Sequence, residues 1–172
     1  MLFCHNKHPD QIIAMASILI LGGVVPLAGA IIAQFGFHLP PCHFCLLQRY
    51  PYVVVIAAGV VSLLVKRGGT YFRLCVAFAI CGLLATGTLG IIHSGIESGW
   101  LHYTGGCVAQ TPATMSIEAM RAAIASAPLV SCDTPLLEIL GISMAGWNAV
   151  WAALVIMLIA VQYRFELRRY VS

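Results

Sequence analysis

The sequence predicts an all-α membrane protein: a bundle of four transmembrane helices with a long outer loop that carries a short interfacial helix. Three observations predict it. Apolar residues fill 60% of the 172 positions and charged residues only 9%, against about 25% charged in soluble domains. The apolar residues gather into four runs long enough to cross a hydrocarbon core of roughly 30 Å. The basic residues collect at one end of those runs. No repeat, low-complexity tract or long linker interrupts the chain, so 1–172 reads as a single membrane domain. A net charge of +3 that is segregated by position points to no nucleic-acid partner.

The first helix spans about 12–35, since Ile12 to Phe37 carries no charge. Ala28-Gly29-Ala30 resembles a signal cleavage site. The apolar run is too long for a signal peptide, continues past Ala30 and follows a single lysine, Lys7. A short outer loop, 36–45, leads to the second helix at about 46–65. Pro51 should kink its early turns or mark where regular helix starts. Lys66-Arg67-Gly68-Gly69 is a tight basic turn. The third helix covers about 71–92, with Arg73 snorkelling at its entry. The second outer loop, 93–145, is far longer than the other connections, and long loops in compact proteins are usually functional. Within it, Ser116 to Ala127 reads as a short amphipathic helix. Ile117, Met120 and Ile124 share one face, Glu118 and Arg121 lie opposite, and Pro128 stops it. At about 12 residues it is too short to span and suits the membrane interface. The fourth helix, about 146–163, is followed by Arg164, Arg168 and Arg169.

Lys7, Lys66, Arg67, Arg73, Arg164, Arg168 and Arg169 all fall on the side of the termini. Only Arg49 and Arg121 fall on the other. The positive-inside rule then places both termini in the cytoplasm and both outer loops outside it. Four of the seven cysteines lie in those loops, Cys42, Cys45, Cys107 and Cys132, where disulfides persist.

Pro40-Pro41-Cys42-His43-Phe44-Cys45-Leu46-Leu47-Gln48-Arg49 concentrates the chemistry. A helix starting near Cys42 sets the Cys-x-x-Cys pair among unpaired N–H groups, where a thiolate is favoured. Arg49 follows Cys45 by four residues and Cys42 by seven, so all three should project from one helix face. Cys42, beside Pro41 at the cap, should be the more exposed thiol, and Cys45 the deeper one. Cys107 and Cys132 form a second pair on a loop able to meet another protein. Two pairs on one side of a membrane suggest disulfide exchange in series, through mixed disulfides. His93 and Glu97, spaced i, i+4 where the third helix leaves the membrane, are ionisable groups at a depth where such groups usually function. His38, His43 and His102 read as loop polarity, with His43 placed to tune the pair. Cys4, Cys75 and Cys81 read as small apolar fillers with no role.

In these motifs the chain resembles the disulfide bond formation protein B (DsbB) family of bacterial inner-membrane oxidoreductases. The resemblance rests on Cys42-x-x-Cys45 with Gln48-Arg49, His93-Ser94-Gly95-Ile96-Glu97, Cys107, Cys132-Asp133, and Gly141-Ile142-Ser143-Met144-Ala145-Gly146-Trp147-Asn148. They run in family order over most of the chain; Met1 to His8 lies outside them. The resemblance implies a quinone-dependent thiol oxidase that sustains disulfide bond formation, with both termini cytoplasmic and the cysteine loops periplasmic. Cys107 would form the mixed disulfide with a periplasmic DsbA-like thioredoxin-fold partner, and Cys132 would be its mate. Cys42 would exchange with the loop pair while Cys45 faces ubiquinone or menaquinone, held non-covalently. Arg49 matches the family's quinone-site arginine and His93 its quinone-side histidine; Glu97 joins them as a cofactor-site candidate. A quinone that takes two electrons takes two protons as well. Arg49 suits one ring carbonyl, and His93 suits the other or a proton path from water.

Three other readings compete, one of them a structural assembly subunit, which leaves all four loop cysteines unexplained. Vitamin K epoxide reductase-like enzymes also join a four-helix bundle, a Cys-x-x-Cys and a quinone, but their loop cysteines precede the pair, whereas here they follow it. A metal-handling protein could use Cys42, Cys45, His43 and a loop histidine. That reading gives Arg49 no task, because a cation beside a metal ion is unfavourable. No metal site is therefore expected.

Overall fold

The computed structural model describes residues 9–66, 69–102, 116–118, 135 and 137–171. Among the described residues, four helical spans are long and apolar enough to cross a membrane: Ile13–Gly36, His43–Leu64, Thr70–Glu97 and Met144–Phe165. The protein is a helical membrane bundle. Large apolar side chains such as Phe35, Leu64, Phe78 and Ile91 point outward, where lipid rather than water would meet them.

Helix α1, Pro9–Gly36, contains Pro26. Proline has no N–H, so the carbonyl four residues back loses its helical donor. That carbonyl belongs to Gly22, and the indole N–H of Trp151 donates to it at 2.9 Å. A neighbouring helix thus supplies the bond that the proline withholds. The α1 end turns back through His38, whose φ is 54°, with Leu39 N–H on the Ala33 carbonyl at 3.1 Å.

The second span is two helices, α2 (His43–Leu47) and α3 (Arg49–Leu64), joined at Gln48. Pro51 is the cause. It cannot donate to the Leu47 carbonyl and its ring crowds that group, so the regular ladder restarts with Pro51 in the first turn of α3, where proline is tolerated. The break lies nearer the cysteines than a kink at the proline itself.

Helix α4, Thr70–Glu97, runs five residues beyond the expected end at Ile92. Gly95 is accommodated within the helix, and the stop comes only at Gly99. There φ is 74°, and the N–H groups of Gly99 and Trp100 close on the carbonyls of Ile96 and Gly95 at 3.0 and 2.9 Å. That is a Schellman stop, which only a residue tolerant of positive φ makes cheaply. His93 and Glu97 therefore lie on the last full turn of a helix, not in a loop. Of the expected helix at Ser116 to Ala127, only 116–118 fall inside the described residues, with Ile117 and Glu118 helical.

Two short strands precede the last helix, an unexpected feature. β1 (Glu138–Ile139) pairs antiparallel with β2 (Ile142–Ser143). The two-residue turn has φ of 57° at Leu140 and 74° at Gly141, the sign pattern of a type I′ hairpin. Ser143 Oγ accepts the Gly146 N–H at 3.2 Å and so caps helix α5, Met144–Val171. Trp147 of α5 donates its indole N–H to the Ile139 carbonyl at 2.9 Å.

Close approach of the helices relies on small residues, as expected where lipid offers no hydrophobic drive. A Cβ at Gly90 would stand 2.8 Å from the Ala145 carbonyl oxygen, and one at Gly23 would stand 2.9 Å from that of Tyr52. Met15, Leu19, Val55, Ala79, Leu83, Val155 and Ile159 fill the core between them. A polar chain crosses three helices beside the α2–α3 joint. The Thr86 hydroxyl donates to the Gln48 carbonyl at 3.2 Å, and Asn148 Nδ2 donates to Thr86 Oγ1 at 3.1 Å. Tyr52 OH donates to Asn148 Oδ1. Replacing Thr86 by Val keeps the shape but removes both hydroxyl bonds, leaving Asn148 Nδ2 only its bond to the Thr86 carbonyl at 3.3 Å. We expect Thr86→Val to lower stability by roughly 1–3 kcal/mol, seen as an earlier unfolding transition in detergent micelles.

Candidate active site

Cys42 is the N-cap of α2, with φ −75° and ψ 171°, and its sulfur accepts the Cys45 N–H at 3.3 Å. The Cys42 thiol donates to the Cys45 sulfur at 2.9 Å. A tetrahedral zinc ion with bonds of about 2.3 Å holds two sulfurs roughly 3.8 Å apart, so this closer spacing suits exchange between the sulfurs better than a shared metal.

The two thiols face different surroundings. Cys42 is 4% exposed, packed with Phe44 and Ile96, while Cys45 is half-buried and lines a cavity of about 510 Å³. This reverses the expectation that Cys42 is the more exposed. It also separates Cys42 from the face shared by Cys45 and Arg49, which line the cavity together. The cause is the cap: Cys42 has extended rather than helical backbone angles, so helical spacing does not govern its direction.

The cavity lies among α1, α3 and α5. Pro26, Val150, Trp151 and Leu154 give it apolar walls, and Gln34, Gln48, Tyr52 and Asn148 add polar groups. Its volume is that of a site for a small organic ligand. Arg49 Nη1 donates to Gln34 Oε1 at 2.7 Å, and Nη2 to the Ala30 carbonyl at 3.4 Å. Arg49 Nε and Gln48 Nε2 are buried without acceptors among the described residues. Buried donors left without partners are costly, and a ligand carbonyl would relieve them.

His93, 3% exposed, stands against Cys42 instead. Its Nε2 is 3.5 Å from Cys42 Sγ and 3.6 Å from Glu97 Oε1. Its ring stacks on Phe44, with centroids 5.4 Å apart and 23° between planes. Neither His93 nor Glu97 is among the residues lining the cavity. The helix-end placement explains this: α4 meets α2 at the cysteines, whereas α1, α3 and α5 enclose the cavity. Cys107 and Cys132 lie outside the described residues. Cys75 packs in the core and Cys81 faces outward. His43 is exposed, with its ring edge-on to Phe44.

Gln34 is the site residue that sequence reasoning missed. Its signal was a lone amide in an otherwise apolar, uncharged span, where polar side chains usually serve a purpose.

A cysteine pair at the mouth of a membrane helix bundle, split between a buried histidine and an apolar cavity, is an arrangement suited to thiol chemistry. Residues 13–162 match the family model "Disulfide bond formation protein DsbB", and the chain belongs to that family. It is 27% identical over 146 residues to "Disulfide bond formation protein B" of Pseudomonas syringae pv. tomato, covering 75% of this chain and 78% of that protein. It is 29% identical over 141 residues to "Uncharacterized protein RP370" of Rickettsia prowazekii, covering 81% and 80%. No solved structure gives a significant match. Family and fold together make this a multi-pass membrane disulfide-bond oxidoreductase.

The Cys42 thiol is pushed up from its ordinary 9.0 to about 12. Its hydrogen bond to the Cys45 sulfur is the largest cause and burial adds to it, while the contact with His93 acts the other way. The fold thus favours the neutral thiol. This stabilisation is present below about pH 9 and is lost as pH rises towards 12. In the reduced protein, iodoacetamide should modify Cys42 slowly up to pH 9 and faster only above it. Cys45→Ser removes the largest cause, so the rise should move to lower pH, as peptide-resolved mass spectrometry would show.

Proposed function

We propose that the protein reoxidises a periplasmic DsbA-like dithiol protein and passes the electrons to a membrane quinone, ubiquinone or menaquinone, thereby sustaining disulfide bond formation. The observation that carries this reading is the cavity, which joins Cys45, the Arg49 guanidinium and unsatisfied buried donors within apolar walls. A quinone fits that chemistry: a flat apolar ring with two carbonyl acceptors. When bound, it supplies the two-electron acceptor.

The residues divide the remaining work. Arg49, held by Gln34 and the Ala30 carbonyl, presents a fixed cation and a spare donor to a ring oxygen. Gln48 offers a second donor. Cys45 is the sulfur turned to the cavity, and Cys42 is the one that exchanges with the loop pair. The thiolate of the partner attacks the Cys107–Cys132 disulfide, with the mixed disulfide on Cys107. The reduced loop pair then attacks Cys42, and Cys45 leaves with the electron pair of the broken S–S bond. In this reading the whole of 1–172 acts as one domain in a bacterial inner membrane. The basic residues of the 66–73 turn and the C-terminal end mark the cytoplasmic side, and both cysteine loops face the periplasm.

Two measurements test it. Purified protein should reduce added quinone when given a reduced DsbA-like protein. Arg49→Ala should then raise the quinone concentration for half-saturation by about ten- to a hundredfold, the loss of a charge-assisted hydrogen bond of roughly 1.5–3 kcal/mol. An unchanged value would make Arg49 a mere anchor. With Cys132→Ala, resolution should stall, and the partner should accumulate as a mixed disulfide on Cys107. Trapping on Cys42 or Cys45 alone would refute a two-pair relay.

A further inference from the structure

The cysteine pair faces two ways. Cys45 opens on the cavity with Arg49, and Cys42 does not. Cys42 instead meets the imidazole of His93 at 3.5 Å. His93 is nearly sealed from solvent, its ring lies flat against Phe44, and it is absent from the cavity wall. An ionisable side chain held this deep needs a partner for its charge. The partners at hand are the Cys42 sulfur and the Glu97 carboxylate, both within 3.6 Å of the same nitrogen, Nε2. The other ring nitrogen and Glu97 Oε2 have no acceptor or donor among the described residues.

We propose that His93 is the acid–base residue of Cys42, with Glu97 positioning it, rather than a ligand of whatever fills the cavity. The inference rests on the reading that Cys42 exchanges disulfides. Each exchange leaves Cys42 either bonded to another sulfur or released. When an attacking thiolate expels Cys42 from a disulfide, the electron pair of the broken S–S bond stays on the Cys42 sulfur. The His93 imidazolium then delivers a proton to that sulfur through Nε2. When Cys42 attacks in turn, neutral imidazole takes the proton back. The sulfur pair forms the new S–S bond, and the expelled sulfur leaves with the pair of the old one. No further oxidant enters these steps.

This division has a chemical reason. Thiol exchange at Cys42 and electron delivery at Cys45 each need proton control. A single base serving both sulfurs would couple the two events. Here Phe44 and Cys42 itself occupy the imidazole's near side, and Arg49 serves the cavity. Glu97 lies one helical turn beyond His93 on α4. Its Oε1 stands 3.6 Å from Nε2 and so holds the ring's orientation towards Cys42. The titratable groups that face His93 among the described residues are Cys42 at the α2 cap, Cys45 of α2 and Glu97 of its own helix.

The test uses full-length protein in detergent, reduced, in a Cys45→Ser background so that Cys42 is the only sulfur of the pair. Iodoacetamide modification of Cys42 is followed by mass spectrometry from pH 6 to 10, without quinone or partner protein. Adding His93→Gln should slow modification at pH 8 by about tenfold, equivalent to one unit in the thiol's pKa. Glu97→Gln should change the rate in the same direction by less. Thermal melting of each variant verifies folding, and the milder Glu97→Gln carries the test if His93→Gln does not fold. An unchanged Cys42 profile in the folded variants overturns the acid–base role. Quinone affinity is then measured by titration in the same variants. A tenfold loss on His93→Gln would overturn the separation of His93 from the cavity. Because modification is measured without quinone, failure of the quinone reading at Arg49 would leave this result standing.

Discussion

The structure depends on one absent hydrogen bond, the N–H that Pro51 does not have. With it, His43–Leu64 would run as one continuous helix. The proline forces the ladder to restart at Arg49, and the Cys-x-x-Cys turn becomes a five-residue helix of its own. The freed segment packs Cys42 and Phe44 against α4 and leaves Cys45 toward α1 and α5. The joint is fixed in turn by polar bonds from Thr86 and Asn148. Such bonds are affordable inside a membrane only when their members are satisfied.

The same economy shapes α1. Pro26 opens a carbonyl, Trp151 closes it, and both residues line the cavity. A site wall and a helix contact are thus one feature. The cavity's polar atoms are few, yet they converge. The guanidinium of Arg49 is tied to α1 by Gln34, which fixes its direction and leaves Nε for another acceptor. Rigid placement of a cation in low dielectric is worth far more than the same charge in water, and it costs no rearrangement when a ligand's charge grows.

Membrane context also explains the cysteines' neighbours. A sulfur at a helix cap in water would ionise readily. At Cys42, the hydrogen bond to the Cys45 sulfur and then burial oppose ionisation, and the His93 contact favours it. Reactivity at that sulfur is therefore set by burial and by two groups at contact distance, Cys45 and His93, the latter 51 residues away in the chain. The hairpin before α5 contributes indirectly. Through Ser143 and Trp147 it fixes where α5 begins, and with it the face that carries Trp147, Asn148 and Trp151 to the cavity.

The sequence by itself determined the four spans, because length and the absence of charge need no tertiary context in a bilayer. It also determined the cysteine pair and the neighbouring arginine, through their fixed spacing, and identified His93 and Glu97 as one helical face. Helix ends were legible only approximately. Hydropathy fades before the hydrogen bonding does, so α4 runs on to a glycine stop that the apolar count overlooks. The hairpin was hidden because Leu140 adopts a positive φ that its side chain disfavours. Tertiary structure alone decided which sulfur faces which partner. That choice follows from the extended backbone at Cys42 and from the packing of α4 against α2, neither of which helical periodicity encodes. It likewise decided that Arg49 meets Gln34, fifteen residues away on another helix, because the contact depends on how closely Gly23 lets α1 approach α3.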